Sequence, residues 1–286
     1  MNIKTITFSI SLLLLISCTH YIYISRCIYQ QKPVIADGKP NEWKLPLKFY
    51  DDKSRLQYTV SNDFENIYFC IRATDQQTQS KIIRAGMQIW IDTTGKYEHN
   101  VGVMFPLSNA LRKTNPNEVE APPKAKQDVS AYKSKFLNGY KEMELAGFNT
   151  GINGMSPIKN SAGIQTAIGW DSTDIMTYEA IIPFRTFYKD SITVHDSLKL
   201  FGISIIVNGL QMPEGKKEGG GVSGMPGGGM PGGGMRGGGG GMHGGGGGHG
   251  GGGGQRNNAD GSAAMYETNS IKMLFQLSGN KLPNIK

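Results

Sequence analysis

The sequence predicts an all-β fold, an antiparallel β-sandwich of the jelly-roll or immunoglobulin-like type with a long disordered glycine-rich loop inserted in it. Two observations predict the sandwich. Short segments rich in alternating, β-branched and aromatic residues recur along the chain, and turn residues such as Asn62-Asp63 separate them. Long helical periodicity is missing, and only the polar stretch Lys124–Asn138 is expected to hold a short helix. This pattern is typical of two packed antiparallel sheets.

Nine strands are predicted, each with its own signal. In the third, Ile89 and Ile91 point to one face and Trp90 to the other, as the two-residue period of a strand requires. The turn signals include Asp75 and Gly95. The predicted strands are Leu56–Ser61, Asn66–Thr74, Gly86–Asp92, Val101–Phe105, Met143–Phe148, Gly163–Gly169, Met176–Ile182, Leu198–Asn208 and Ser270–Leu277.

The N-terminus is typical of a bacterial lipoprotein signal. Lys4 gives a positive start, and Ile6–Ile16 is an apolar run of signal length that ends in the lipobox-like Leu15-Ile16-Ser17-Cys18. We therefore predict a signal peptide over 1–17, acylation at Cys18, a tether over 18–32 and the domain over 33–286. An uncleaved signal anchor over Ile6–Ile28 is the alternative, since that run is long enough to span a bilayer core. The residues leave inner and outer membrane open.

A low-complexity tract interrupts the predicted sandwich over 214–262. Of the 36 residues from Gly219 to Gly254, 25 are glycine. The tract therefore has too few apolar side chains to offset the entropy lost on ordering the chain. Strong strands are predicted on both sides of it, so the tract is expected to be a loop within one domain. Such a loop costs closure entropy only logarithmically in its length.

Charge and cysteine content limit the partners. The net charge is +7, but lysines and arginines are spread along the chain, so a nucleic-acid partner is not indicated. With Cys18 acylated, Cys27 falls in the predicted tether and Cys70 in a buried strand. A disulfide between them is permitted outside the cytoplasm but is not the preferred interpretation.

The stretch Val34–Asn208 resembles a family 9 carbohydrate-binding module. The series of motifs together carries the resemblance, although no single one is diagnostic. In chain order the motifs are Ile35-Ala36-Asp37-Gly38-Lys39-Pro40-Asn41-Glu42-Trp43, Tyr58-Thr59-Val60-Ser61-Asn62-Asp63, Ile67-Tyr68-Phe69-Cys70-Ile71-Arg72-Ala73-Thr74-Asp75, Gln88-Ile89-Trp90-Ile91-Asp92-Thr93, Tyr178-Glu179-Ala180-Ile181-Ile182-Pro183-Phe184 and Leu200-Phe201-Gly202-Ile203-Ser204-Ile205-Ile206-Val207-Asn208.

This resemblance implies a β-sandwich related to the DOMON group, in which some members bind sugar ends between paired aromatic side chains. The three tryptophans are therefore the candidate stacking platforms. Trp170, at a strand end beside a polar turn, is the best of them. Packing is the preferred role for Trp90 and for Trp43, which would close one end of the sandwich. A shared fold does not by itself establish a shared ligand.

Metal binding and catalysis have weaker support in the sequence. Asp37, Asp63, Asp75 and Asp92 could supply oxygens to calcium, but their spacing is not that of an EF-hand, and turn capping explains them better. No Gly-x-Ser-x-Gly or His-Glu-x-x-His motif is present, and Glu179 is interpreted as structural. Thioethers and imidazoles of the glycine tract could bind copper, although repeat expansion is the preferred explanation; they are Met225, Met230, Met235, Met242, His243 and His249.

The sequence thus favours a non-catalytic, lipid-anchored protein of the cell envelope that binds a carbohydrate. An envelope scaffold that contacts other proteins is one alternative, and a DOMON-like haem or metal carrier is another. The scaffold hypothesis predicts that the folded domain exposes no pair of aromatic rings.

Overall fold

The computed structural model describes residues 24–108, 126–149, 151–211 and 263–279. The strands are β1 (Ile24–Arg26), β2 (Ile28–Tyr29), β3 (Phe49–Asp51), β4 (Leu56–Asn62), β5 (Asn66–Ala73), β6 (Met87–Asp92), β7 (Val101–Met104), β8 (Glu142–Ala146), β9 (Gly154–Pro157), β10 (Gln165–Trp170), β11 (Met176–Pro183), β12 (Leu200–Val207) and β13 (Asn269–Gln276). The helices of ten or more residues are α1 (Gln76–Ala85) and α2 (Lys126–Gly139).

The strands form two sheets that enclose one main hydrophobic core. A seven-stranded sheet has the order β1-β13-β12-β6-β7-β8-β9, and a six-stranded sheet has the order β10-β11-β5-β4-β2, with β3 also paired to β4. Alternate residues of each central strand point inward, so Ile89 and Ile91 of β6 meet Tyr178 and Ile182 of β11 in one cluster. The prediction of a two-sheet β-sandwich is confirmed.

All nine predicted strands are present within one or two residues of their expected bounds. The predicted helix is present as α2, which spans Lys126–Gly139 in the described residues. β3 was not predicted, because three residues are too short to show a period of two, and β9 was not predicted, because its Gly154 and Pro157 are residues that usually mark turns rather than strands.

The N-terminal boundary differs from the prediction. The tether expected over 18–32 is wrong from Ile24 onward, since β1 pairs with β13 and β2 pairs with β4. Cys27, between these strands, is 2% exposed, and its backbone N–H donates to the carbonyl of Gln276 (2.9 Å). Both pairings are parallel, so the sandwich is not wholly antiparallel. The sandwich therefore includes the chain from Ile24 onward, because β1 and β2 each form an edge strand of one sheet.

Helix α1 is the second departure, because polar residues share its buried face with apolar ones and obscure the helical period. The buried residues are Thr78, Gln79, Lys81, Ile82, Ile83 and Ala85. Asp75 caps the helix, its carboxylate accepting from the backbone N–H of Thr78. Gln79 is buried and donates to the carbonyls of Ala73 (3.0 Å) and Asp174 (2.7 Å). The apolar part of the buried face is confined to Ile82, Ile83 and Ala85 at the C-terminal end, so the apolar stripe by which a sequence reveals a helix is short.

The glycine tract connects two neighbouring strands of one sheet. β12 and β13 pair in antiparallel register from Leu200–Gln276 to Val207–Asn269. Beyond these strands, the backbone N–H of Leu210 donates to the carbonyl of Met265 (2.9 Å), and that of Gly209 donates to Thr268 Oγ1 (3.0 Å). The predicted disorder over 214–262 lies outside the described residues.

Candidate functional site

Glu179 connects the first motif, Ile35–Trp43, to strand β11. It lies on β11, facing away from the main core, and its side chain is fully buried. Its Oε2 accepts from the backbone N–H groups of Gly38 (2.9 Å) and Asp37 (3.2 Å), and its Oε1 accepts from Trp43 Nε1 (2.8 Å). We call these four residues the Glu179 latch. It holds the segment 34–47 over the six-stranded sheet as a second, smaller core.

The latch explains two residues that the sequence singled out. Trp43 is 8% exposed, and its one polar atom is used by Glu179, so Trp43 packs as expected rather than forming an open platform. Burial raises the pKa of Glu179 to about 7, because desolvation outweighs the three N–H donors that favour the carboxylate. The carboxyl group is thus bound to structural partners, and its pKa differs from that of an exposed glutamate.

The raised pKa predicts a pH-dependent stability. Between pH 4.5 and 7 the folded protein keeps a proton on Glu179 that the unfolded chain has released, so stability falls as the pH rises through this window. The full span corresponds to about 3 kcal/mol of unfolding free energy. Chemical denaturation at several pH values should show this slope in the native chain, and Glu179→Gln should flatten it. An equal slope in both proteins would contradict the assignment.

Trp90 lies on the outer face of the seven-stranded sheet, with its ring packed against the protein. A Cβ added to Gly102 of the adjacent strand would lie 2.5 Å from Cε3 and Cζ3 of the ring, so the indole rests directly on that glycine. The exposed His99 imidazole stacks nearly parallel to it, at 4.8 Å between centroids. The indole Nε1 of Trp90 donates to Gln88 Oε1 (2.8 Å). Packing is therefore the role that these contacts support.

Trp170, the preferred platform, lies partly buried at the end of β10. Phe136 of α2 meets its ring edge to face at 5.6 Å, and Lys133 Nζ of the same helix lies 5.3 Å from the ring centroid. Its Nε1 donates to Gln79 Oε1 (2.9 Å), which fixes the indole to α1. The three tryptophans thus occupy three separate places, and the described ring contacts do not pair any two of them.

The four aspartates proposed for calcium also lie in separate turns. Each accepts hydrogen bonds from the backbone of its own turn or helix start. The donors are Lys39 for Asp37, Glu65 and Asn66 for Asp63, Thr78 for Asp75, and Thr94, Lys96 and Glu98 for Asp92. Within the described ranges, no three His, Cys, Asp or Glu side chains are placed to hold a metal ion. The turn-capping interpretation is therefore the one that the geometry supports.

The remaining predicted positions are the cysteines and the Met and His residues of the glycine tract. Cys18 and the tract lie outside the described residues. Cys27 and Cys70 are both buried and free, so the disulfide alternative is not observed. Burial raises the pKa of each thiol above its ordinary value, which keeps both in the unreactive protonated form.

Comparisons with known proteins add no relative to this description. The chain matches no protein-family model, no curated protein and no solved structure. In the ranges that the structure describes, there is no helix long and apolar enough to cross a bilayer.

A cavity of about 560 Å³ opens beside the latch, at the sandwich edge formed by β2 and β4. Its volume is within the range of about 300–1,000 Å³ that is typical of ligand pockets. We call it the edge cavity. The lining residues that matter for its chemistry are Tyr29, Lys32, Glu42, Trp43, Lys44, Lys48, Thr59 and Ser61.

Two polar atoms in the walls of the edge cavity are buried without a partner. Ser61 is 1% exposed, and neither its Oγ nor Glu42 Oε2 has a hydrogen-bond partner among the described residues. Native proteins pair most buried polar atoms, since leaving one unpaired costs about 1–3 kcal/mol. By contrast Thr59 Oγ1 is used, accepting from the backbone N–H of Lys48 (2.9 Å). A hydroxyl and a carboxylate oxygen of the lining residues thus have no partner among the described residues.

A second cavity, of about 490 Å³, lies at the other end of the same sheet. The main polar groups in its wall are already paired. Tyr68 OH donates to Asp63 Oδ2 (2.6 Å), and Arg185 donates to the carbonyl of Ala162 (2.7 Å). The edge cavity is therefore the better candidate site.

Sequence reasoning did not find Tyr29, Glu42 or Ser61. Tyr29 lies in the predicted tether, and Glu42 lies in the motif Ile35–Trp43, of which only Asp37 and Trp43 were candidate site residues. Thr59 and Ser61 did alternate with the core residues Tyr58 and Val60, which marked them as outward-facing. That signal could have indicated a polar face, but not the segment that covers it.

Proposed function

We propose that this is a non-catalytic, lipid-anchored protein of the cell envelope whose sandwich, of jelly-roll or immunoglobulin-like type, binds a carbohydrate in the edge cavity. The glycine-rich insertion would be a disordered loop. The observation that carries the proposal is the combination of an aromatic wall with the unpartnered oxygens of Ser61 and Glu42. A sugar ring has an apolar C–H face and a rim of hydroxyl groups, which match these two kinds of wall.

The aromatic side of the cavity favours binding over the scaffold alternative. Tyr29 lines the cavity and meets Phe64 edge to face, at 5.4 Å between ring centroids. Phe64 is 37% exposed and Tyr29 is partly exposed, so the domain does present a pair of aromatic rings at its surface. The scaffold hypothesis expected no such pair.

The proposal moves the stacking role from Trp170 to Tyr29. The Trp170 ring is engaged by α1 and α2, and the Trp90 ring rests on Gly102. Trp43 also lines the cavity, but its Nε1 is bound to Glu179, so it supplies wall rather than a hydrogen bond. The Tyr29 ring meets only the edge of Phe64 among the described ring contacts, and its hydroxyl makes no hydrogen bond with a described residue.

A glycan-binding screen of the full chain in detergent tests the proposal. We expect a bound glycan whose affinity falls about tenfold or more in Tyr29→Leu and stays unchanged in Trp170→Phe, since aromatic stacking contributes on the order of 1 kcal/mol or more. Thermal unfolding of each variant controls for folding. A folded protein that binds nothing in the screen would favour the scaffold function instead, and loss in Trp170→Phe alone would return the site to Trp170.

A further inference from the structure

We propose that the edge cavity takes an acidic sugar presented by a glycolipid of the membrane to which the protein is anchored. This inference rests on the proposed function and names its ligand class. Three observations carry it: the charge of the cavity walls, the unpartnered oxygens, and the position of the cavity next to the first strands of the domain.

The cavity walls have an excess of positive charge. Lys32, Lys44 and Lys48 line it, and Glu42 is its one acidic lining residue. These three lysines form no ion pair with a described residue, whereas lysines elsewhere, such as Lys53 and Lys133, do. Lysine ammonium groups left without counter-charges at a cleft attract anionic ligands. A neutral sugar would leave this charge unused.

The buried oxygens specify a ligand with hydroxyl groups and not an anion alone. Glu42 Oε2 can only accept a hydrogen bond when ionised, and Ser61 Oγ can both donate and accept. A bare phosphate or sulfate would be repelled by Glu42. A sugar acid satisfies all three kinds of group: its acid meets the lysines, its hydroxyls meet Glu42 and Ser61, and its C–H face meets Tyr29.

The position of the cavity indicates the source of that sugar. Ile24, where β1 begins, follows Cys18 by six residues, and six residues reach at most about 20 Å when fully extended. If Cys18 is acylated, this edge of the sandwich lies within that distance of the membrane. The cavity is lined by β2, directly after β1, so it shares the membrane-facing edge. Ile24 and Ile28 are 46% and 43% exposed there.

Hydrogen–deuterium exchange of the acylated full chain in phosphatidylcholine vesicles tests the inference. One set of vesicles contains glucuronosyl diacylglycerol, a second contains the neutral glucosyl lipid, and a third contains phosphatidylglycerol. We expect the glucuronosyl lipid to slow exchange in the peptides covering 28–32 and 42–48. Either of the other two lipids should need at least a tenfold higher concentration to give the same protection. Equal protection by phosphatidylglycerol would reduce the effect to charge attraction and overturn the inference.

Two further outcomes separate this inference from the proposed function. Protection by both sugar lipids alike would overturn the acidic preference while leaving carbohydrate binding intact. Equal affinity for a soluble glucuronate-terminated oligosaccharide would overturn the membrane source. No protection with any sugar, lipid-borne or soluble, would overturn both the inference and the proposed function.

Matched variants locate the binding groups. Ser61→Ala removes a hydroxyl that has no described partner, so we expect unchanged or slightly higher thermal stability and about five- to tenfold weaker binding. Thr177→Val is its control, since Thr177 Oγ1 is also buried and unpartnered but lies away from the cavity. Lys44→Glu should weaken binding, and Lys272→Glu on the opposite sheet should not. Unchanged binding in Ser61→Ala and Lys44→Glu together would overturn the assignment.

Discussion

Replacing Glu179 with alanine is expected to lower the free energy of unfolding by about 3–5 kcal/mol. The change leaves two buried donors, the backbone N–H of Gly38 and Nε1 of Trp43, without their acceptor, while the backbone N–H of Asp37 keeps its bond to the carbonyl of Ile35 (2.9 Å). Each buried unpaired donor costs about 1–3 kcal/mol. Loss of a desolvated carboxyl group and entry of water offset part of the sum. Chemical denaturation at pH 7 measures the difference from the native chain.

A matched control and a double variant make this expectation specific. Glu142→Ala makes the same change at an exposed strand position and should alter stability by less than about 0.5 kcal/mol. Because Trp43 and Glu179 share a hydrogen bond, the effects of Glu179→Ala and Trp43→Phe should be non-additive by about 1 kcal/mol. A loss below about 1 kcal/mol in Glu179→Ala, or full additivity, would show that the latch does not hold the segment 34–47.

The second large effect is expected at Gly38. Its φ of +79° is in the region that favours glycine, and a Cβ there would lie 2.4 Å from the backbone nitrogen of Gly169 on β10. The backbone of Gly169 cannot move aside as a flexible side chain could, because β10 is hydrogen-bonded along its length to β11. We expect Gly38→Ala to cost at least about 3 kcal/mol, combining backbone strain with steric overlap.

Gly139 provides the comparison for Gly38. It ends α2, and a Cβ built on it meets nothing within 4 Å, so Gly139→Ala should be neutral or stabilise by up to about 1 kcal/mol. Thermal unfolding of both variants and the native chain gives the test. Similar melting temperatures for the two variants would mean that the loop at Gly38 can move away from β10 without loss.

The contacts of Trp90 and Trp170 show why the sequence could propose tryptophans as stacking platforms but could not tell which rings are open to a ligand. Alternation along β6 placed Trp90 on the outer face, and this was correct. Whether an outer face is open depends on what crosses it. Gly102 lies directly beneath the Trp90 ring. The Trp170 ring is contacted by Phe136 of α2, which lies 34 residues earlier in the chain. These partners come from separate parts of the chain, so no local pattern around either tryptophan reveals them.

The N-terminal boundary shows a different limit of sequence reasoning. Ile24–Tyr29 continues the apolar character of the signal region, so its residues were interpreted as signal and tether. The decisive fact is that β13 and β4 each present a free edge there, and those edges accept β1 and β2. An edge strand of two or three residues is stabilised by the sheet it joins rather than by its own sequence, because it has too few residues to be stable alone.

The sequence by itself determined where nine of the thirteen described strands lie, that the glycine tract falls between two of them, and that the aspartates belong to turns. These features depend on neighbouring residues, through the two-residue period of a strand and the local hydrogen bonds of a turn. Only the tertiary structure decided the Glu179 latch, the course of residues 24–29 and the edge cavity. Each requires groups far apart in the chain, such as Gly38 and Glu179, to share one buried contact. The alternation of polar and apolar residues shows which side chains face outward, but it carries no information about which distant segment will cover them.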